Sequence, residues 1–274
     1  MNDAFVPVNA LETLLMRAAT VPAVRADFYR ELCVATLFVL TPDVPEREGT
    51  RTLEKAEQVG IVNWSTADGK PYVPVFSSEE KMQEVVARGA VAYGTLGFPG
   101  KTLMEMLIQG SVPAILNPGL AYGKELVPDE MRRLATGGMF EPVKHEVVKA
   151  ERQILIGQPK EYPNELVRAL KALFEKRSVV EAAYRAHFFD PSTGDPPHLL
   201  VALKLAREDR ALMADAGIVA TEAGEKGKLV DFMVLSGRAG VEGYFQSIEP
   251  FYRRSVEILK PPEKKTGWRR LFGG

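Results

Sequence analysis

VEAAYRAHFFDPSTGDPPHLLVALK, residues 180–204, reads as two β-strands around a turn. Val180, Ala182, Tyr184, Ala186 and Phe188 recur at every second position, the period of a half-buried strand. DPSTGD, residues 190–195, is turn chemistry: proline presets φ, glycine permits positive φ, and aspartate bonds to nearby backbone. Leu199 to Lys204 then returns as the next strand. Moving outward, a helix from about Pro163 places Leu166, Val167, Leu170, Leu173 and Phe174 on one face, and Ile154 to Ile156 is a strand before it. Downstream, Arg207 to Ala220 is helical and Leu229 to Leu235 is a strand. The order β-α-β-β-α-β predicts a ferredoxin-like unit. A last helix near Val241–Ile248 precedes Pro250-Phe251-Tyr252.

The first half has the same α/β style with a less regular order. Asn9 and Glu12 have capping-box spacing, and Leu11, Leu14, Leu15 and Ala18 share the face of the helix that follows. Pro22 is suited to the first turn of a second helix carrying Val24, Phe28 and Leu32. Ala35–Leu40 is a strand, and residues 41–58 are a polar excursion. Asp68-Gly69 between Val59–Trp64 and Pro71–Phe76 predicts a β-hairpin. Ser77 or Ser78 caps a helix bearing Met82, Val85 and Val86. A strand at Ala90–Tyr93, a helix at Lys101–Ile108 and a strand at Val112–Leu116 follow, with Asn117-Pro118-Gly119 as a sharp stop. A short helix near Pro128–Leu134 ends at Gly137-Gly138. The expected organisation is α/β (α+β) in two domains, 1–140 and 141–259, with a basic, aromatic tail at 260–274.

With 274 residues, 46% hydrophobic and 26% charged, the chain has a globular composition. Its formal net charge of −1 gives no global attraction to nucleic acid or membrane, and no nucleic-acid recognition motif is present. One cysteine, Cys33, excludes an intramolecular disulfide, and its three scattered histidines lack zinc-ligand spacing. No metal or cofactor is expected. The N-terminus lacks the basic and apolar regions of a signal peptide, and the apolar runs are too short for a transmembrane segment. A cytoplasmic location is the expectation.

Several segments, in order along most of the chain, resemble the bacterial enhanced serine sensitivity (SseB) family. They are Asn9–Leu15 with Phe28–Leu32, Asp68-Gly69 with Val73–Glu79, Leu116–Gly119, Ile154–Pro159 with Tyr162-Pro163, Val180–Tyr184, and Pro250-Phe251-Tyr252. The resemblance implies an N-terminal and a C-terminal SseB domain. It carries over no catalytic residue, because the family name records a growth phenotype and not a reaction.

Candidate site residues are few. Gly97 to Thr102 lies where a phosphate-binding loop belongs, but the glycine required six residues before Lys101 is Thr95, and Pro99 removes an amide donor. Gly100, Lys101 and Thr102 are kept as ligand-binding candidates, together with Asn117 at a strand end, where open α/β sheets bind ligands. His145, His187 and His198 read as structural, and no serine or cysteine has a motif pairing it with them. Cys33 reads as inert core. In the tail, Trp268, Arg269, Arg270, Leu271 and Phe272 have the composition of a binding hot spot, so a protein partner is expected there. The expected function is a non-enzymatic cytoplasmic binding or regulatory protein that docks through its tail. The alternatives are an enzyme or enzyme accessory in amino-acid or sulfur metabolism, which would bind a small molecule, and a nucleotide-binding protein using Lys101. Oligomeric state is left open.

Overall fold

Helix α1 (Ala10–Thr20) starts where Asn9 accepts a hydrogen bond from Glu12 N at 2.9 Å. Glu12 reaches back to Val8 N at 2.8 Å, so the return bond of the capping box is made one residue before the cap. The computed structural model describes residues 5–42, 49, 59–87, 89, 92–141, 154–159, 163–225, 227–237 and 241–254. Pro22 opens a single 3₁₀ turn, Pro22–Val24, from which α2 (Arg25–Val34) continues. Strand β1 (Thr36–Thr41) follows directly. The predicted hairpin forms, but its first strand is β2 (Trp64–Ser65) alone, and residues 59–63 of the expected Val59–Trp64 are not in a strand. Strand β2 pairs with β3 (Pro71–Phe76), closed by Thr66 N donating to Lys70 O at 2.9 Å and by Gly69 at φ +80°. Ser78 caps α3 (Glu79–Val86), accepting from Lys81 N at 3.2 Å.

Of the strand expected at Ala90–Tyr93, residues 90 and 91 lie outside the described residues, and Ala92 and Tyr93 are not part of a strand; the next one described follows them. It is β4 (Gly94–Pro99), which pairs antiparallel with β1 from Thr36↔Pro99 to Thr41↔Gly94. GTLGFP has the glycine and proline content that strands avoid, and it is tolerated because β4 is an edge strand. After it come α4 (Gly100–Leu107), β5 (Ala114–Leu116), β6 (Lys124–Leu126) and α5 (Pro128–Thr136). Helix α5 ends at Gly137, whose φ of +79° is the left-handed stop that glycine makes without strain.

The N-terminal sheet has the order β4-β1-β3-β5-β6, with β2 added on β3. Both its faces are covered. Leu37 and Val39 of β1 pack with Leu11, Phe28, Leu32, Leu103 and Met131 of α1, α2, α4 and α5. The alternate residues Phe38 and Leu40 pack with Phe76, Trp64 and Met82 of α3. Two-sided burial explains why TLFVLT is a near-continuous apolar run.

The second half consists of β7 (Leu155–Gly157), α6 (Asn164–Glu175), β8 (Val180–Phe189), β9 (His198–Leu205), α7 (Arg210–Ala223), β10 (Val230–Val234), α8 (Val241–Phe245) and β11 (Tyr252–Arg253). The element order matches the expectation, but the sheet is not the ferredoxin-like one. Its path is β10-β9-β8-β11, with β7 also on β8. Strands β9 and β10 are parallel immediate neighbours, and β7 is antiparallel to β8, so neither helix spans a split pair. The cause lies before α6. Gly157 sits opposite His187, and Pro163 and Leu166 at the head of α6 line a cavity with that same His187. Helix α6 therefore runs from the His187 end of β8 toward the start of that strand.

Helices α6 and α7 cover one face of this sheet through Leu170, Phe174, Leu212 and Val219, against Val201 and Leu203. Helix α8 covers the other, with Phe245 on Ala186, Leu200 and Ala202. The two cores exchange residues. Ala23 packs into the C-terminal core, and Ile218 of α7 packs into the N-terminal one.

Candidate functional site

Helices α2 and α7 meet where the two halves join, and the contact is ionic at both ends. Asp215 is fully buried in α7. It accepts from Arg30 of α2 and from Arg177, which follows α6. Burying a carboxylate is costly unless it is paired and hydrogen-bonded, and here two guanidiniums take one oxygen each. Seven residues on, about two helical turns, Glu222 receives Arg25 at 3.0 Å. The same Arg25 nitrogen donates to Glu222 O at 3.0 Å, and Arg25 Nε donates to Ala18 O at 3.1 Å. Ile218 lies between the two ties and is 4% exposed. The pairs Arg30–Asp215 and Arg25–Glu222 make the helices antiparallel.

Tyr29 stands in the middle of this joint. Its phenol donates to Glu130 of α5, and Glu222 Oε1 lies 3.4 Å from the same oxygen. Burial, then the neighbouring Glu130 and Glu222 carboxylates, push the phenol far above its ordinary range, so it holds its proton at every physiological pH. Lys124 of β6 completes the group at 3.0 Å from Glu130. A cleft of about 560 Å³ opens beside these residues, bounded by Tyr29, Lys124, Glu130, Arg133, Thr221 and Glu222.

In the C-terminal half, His198 at the start of β9 is 8% exposed. Its Nδ1 lies 2.9 Å from Pro196 O and its Nε2 lies 2.9 Å from Asp231 Oδ2. Both partners are acceptors, so only the imidazolium satisfies both. Burial lowers its proton affinity, but the Pro196 bond and the Asp231 carboxylate outweigh that and leave it raised. Cys33 is half-buried, and burial raises its thiol despite the opposing pull of Lys101. Among the described residues, no group of three or more His, Cys, Asp or Glu side chains could hold a metal, and no helix is long and apolar enough to cross a membrane.

Gly100, Lys101 and Thr102 form the head of α4. Gly100 N donates to Ala35 O at 2.9 Å, and a Cβ there would stand 1.8 Å from Leu32 O. The glycine thus serves close packing of α4 on α2. Lys101 is exposed, with Glu105 one turn on at 3.9 Å, and Thr102 is exposed too. Asn117 lies elsewhere, at the end of β5, separated from β4 by β1 and β3. It is 1% exposed, adopts φ +51°, accepts from Ser77 N at 3.0 Å and donates to Ser77 Oγ at 2.8 Å. Ser77 Oγ in turn donates to Glu12 at 2.8 Å, so Asn117 ties two parallel strand ends to the cap of α1. Trp268, Arg269, Arg270, Leu271 and Phe272 lie outside the described residues, as does His145.

The joint was not legible in spacing, because its members are scattered over α2, α5, β6 and α7. One signal was available: Asp215 interrupts the apolar run ALMADAGIVA of α7, where a charge must find a partner.

The SseB protein N-terminal domain family matches residues 11–133, and the SseB protein C-terminal domain family matches residues 148–254. Among curated proteins, Protein SseB of Escherichia coli (strain K12) is 28% identical over 249 residues, 90% of this chain and 92% of the relative. Protein SseB of Shigella flexneri is similar to the same extent, 28% over 249 residues. No solved structure matches.

Proposed function

The chain belongs to the SseB family, and from that premise we propose a non-enzymatic binding or regulatory protein of the cytoplasm, with residues 260–274 as its docking peptide. One observation carries the reading. The ionisable groups gathered at the joint are spent on one another: Asp215 on Arg30 and Arg177, Glu222 on Arg25, and Glu130 on Tyr29 and Lys124. Side chains committed in this way hold two domains, 1–140 and 141–259, in a fixed relation; they are not poised to exchange protons with a substrate. A rigid two-domain body with a basic peptide bearing Trp268, Leu271 and Phe272 suits recognition, since aromatic and arginine anchors dominate binding hot spots.

The test compares the tagged full chain with a version lacking residues 261–274, each isolated from its own cells at native level. A protein recovered only with the full chain, and lost when Trp268 and Phe272 are replaced by alanine, supports the docking role. Identical partners from both versions refute it. A metabolite retained by both, with no protein partner, favours the enzyme or enzyme-accessory reading instead.

A further inference from the structure

A second concavity, of about 660 Å³, lies in the C-terminal half at the end of the sheet where β9 and β10 begin. Its walls come from four connections: the exit of β7, the head of α6, the turn into β9 and the link from α7 to β10. Pro159, Pro163, Pro196 and Pro197 line it, together with Leu166 and Leu229. Prolines have a fixed φ and no N–H, so four of them give walls that resist collapse and offer no amide donor. The size is that of a site for a small organic molecule, and the apolar lining is what such sites have. Leu229, 48% exposed at its lip, is a large apolar side chain presented to solvent there.

The charges of His198, Lys228 and Glu225 are matched in pairs, and His187 adds a polar ring to the lining. His198 is tied at both nitrogens, to Pro196 O and Asp231. Lys228 lies 2.5 Å from Glu225. Against these residues a charged ligand would lose water without gaining a free counter-charge, which is unfavourable. A neutral one would lose little and bury apolar surface. Gln158 at the mouth donates its amide nitrogen to Tyr244 Oη at 2.9 Å, leaving a carbonyl oxygen to accept one hydrogen bond.

We propose that this cavity binds an uncharged, largely apolar small molecule. The site is separate from the joint, and the proposal stands whether or not the tail docks a protein.

The test uses the full chain and two fluorescent probes that share a ring skeleton. N-phenyl-1-naphthylamine is neutral with one N–H; 1-anilinonaphthalene-8-sulfonate adds a negative charge. The neutral probe binds saturably, one per chain, and the sulfonate binds roughly tenfold or more weakly. Leu229→Trp and His187→Trp each fill the cavity from an exposed position and weaken the neutral probe roughly tenfold or more, with the melting temperature retained. Leu155→Trp, at an exposed site on β7 outside the cavity, leaves binding unchanged. If one filling variant fails to fold, the other decides. The proposal is overturned by non-saturable binding, by equal affinity for both probes, or by filling variants that bind as the parent does.

Discussion

The joint and the C-terminal cavity both contain paired charges, but the pairs do opposite things. At the joint they reach across a boundary and are sealed by it: Asp215 is fully buried, and its partners come from α2 and from the end of α6. At the cavity they close on near neighbours: His198 with Asp231 on the adjacent strand, Lys228 with Glu225 three residues earlier. The first arrangement spends charge to hold domains together. The second, a buried His198 held by Asp231 and an exposed Lys228–Glu225 pair, leaves the apolar part of the lining to define what fits. Electrostatic pairing therefore contributes to stability mainly where water is absent, and to selectivity where water remains.

The largest expected effect tests the first half of that contrast. Asp215→Ala leaves Arg30 and Arg177 facing each other without their shared carboxylate. Breaking a buried pair by removing one partner costs about 3–5 kcal/mol. Guanidinium denaturation should show a loss of that order, with the two halves no longer unfolding together. A loss below about 1 kcal/mol would put the pair in the surface class and dissolve the contrast. Next comes Tyr29→Phe, which removes the phenol proton from Glu130 while leaving Lys124 in place. A hydrogen bond to a charged group is worth about 1.5–3 kcal/mol, so the midpoint should fall by correspondingly less than for Asp215→Ala. Equal losses would mean that the joint fails as one unit.

How much of this could be read in the sequence varies by region. The strands around DPSTGD were legible because alternation, turn residues and helix faces agree there. Their pairing was not, because β-α-β-β-α-β names an order and the direction of α6 decides the sheet. Strand β4 was hidden by its own composition: GTLGFP lacks strand propensity and is held by pairing to β1. Strand β6, three residues long, has no period to detect. The glycines near Lys101 suggested a loop for a ligand, whereas Gly100 meets Leu32 O, a packing constraint that spacing does not encode. Asn117 was noticed for its place at a strand end, and it is at one, with its amide engaged by Ser77. The joint depends on residues more than a hundred positions apart, such as Tyr29 with Glu130 and Arg30 with Asp215; Asp215 in its apolar run signals that a partner is needed, but nothing local says which.

His198 gives a smaller effect, and one with a sign. Its folded form binds a proton more tightly than the unfolded chain does. The stabilisation is therefore fully present below the unfolded histidine value, about 6.5, and is lost as pH rises through the higher folded value. Denaturation of the parent and of His198→Gln should differ most on the acidic side, with the difference shrinking as the imidazolium deprotonates. A difference that grows with pH would mean that neutral His198 is the form the fold prefers.

The smallest effect separates charge from stability most cleanly. Lys228 and Glu225 are exposed, at 66% and 62%, so Lys228→Ala should cost no more than about 1 kcal/mol. The same substitution leaves Glu225 without its Lys228 partner at the edge of an apolar cavity. If the pair serves to neutralise that surface, the variant melts like the parent yet discriminates more strongly against the sulfonate probe, since the cavity edge is then net negative. If it melts far below the parent instead, the cavity's charges carry stability as the joint's do, and exposure, not the boundary between domains, ceases to be what distinguishes the two sites.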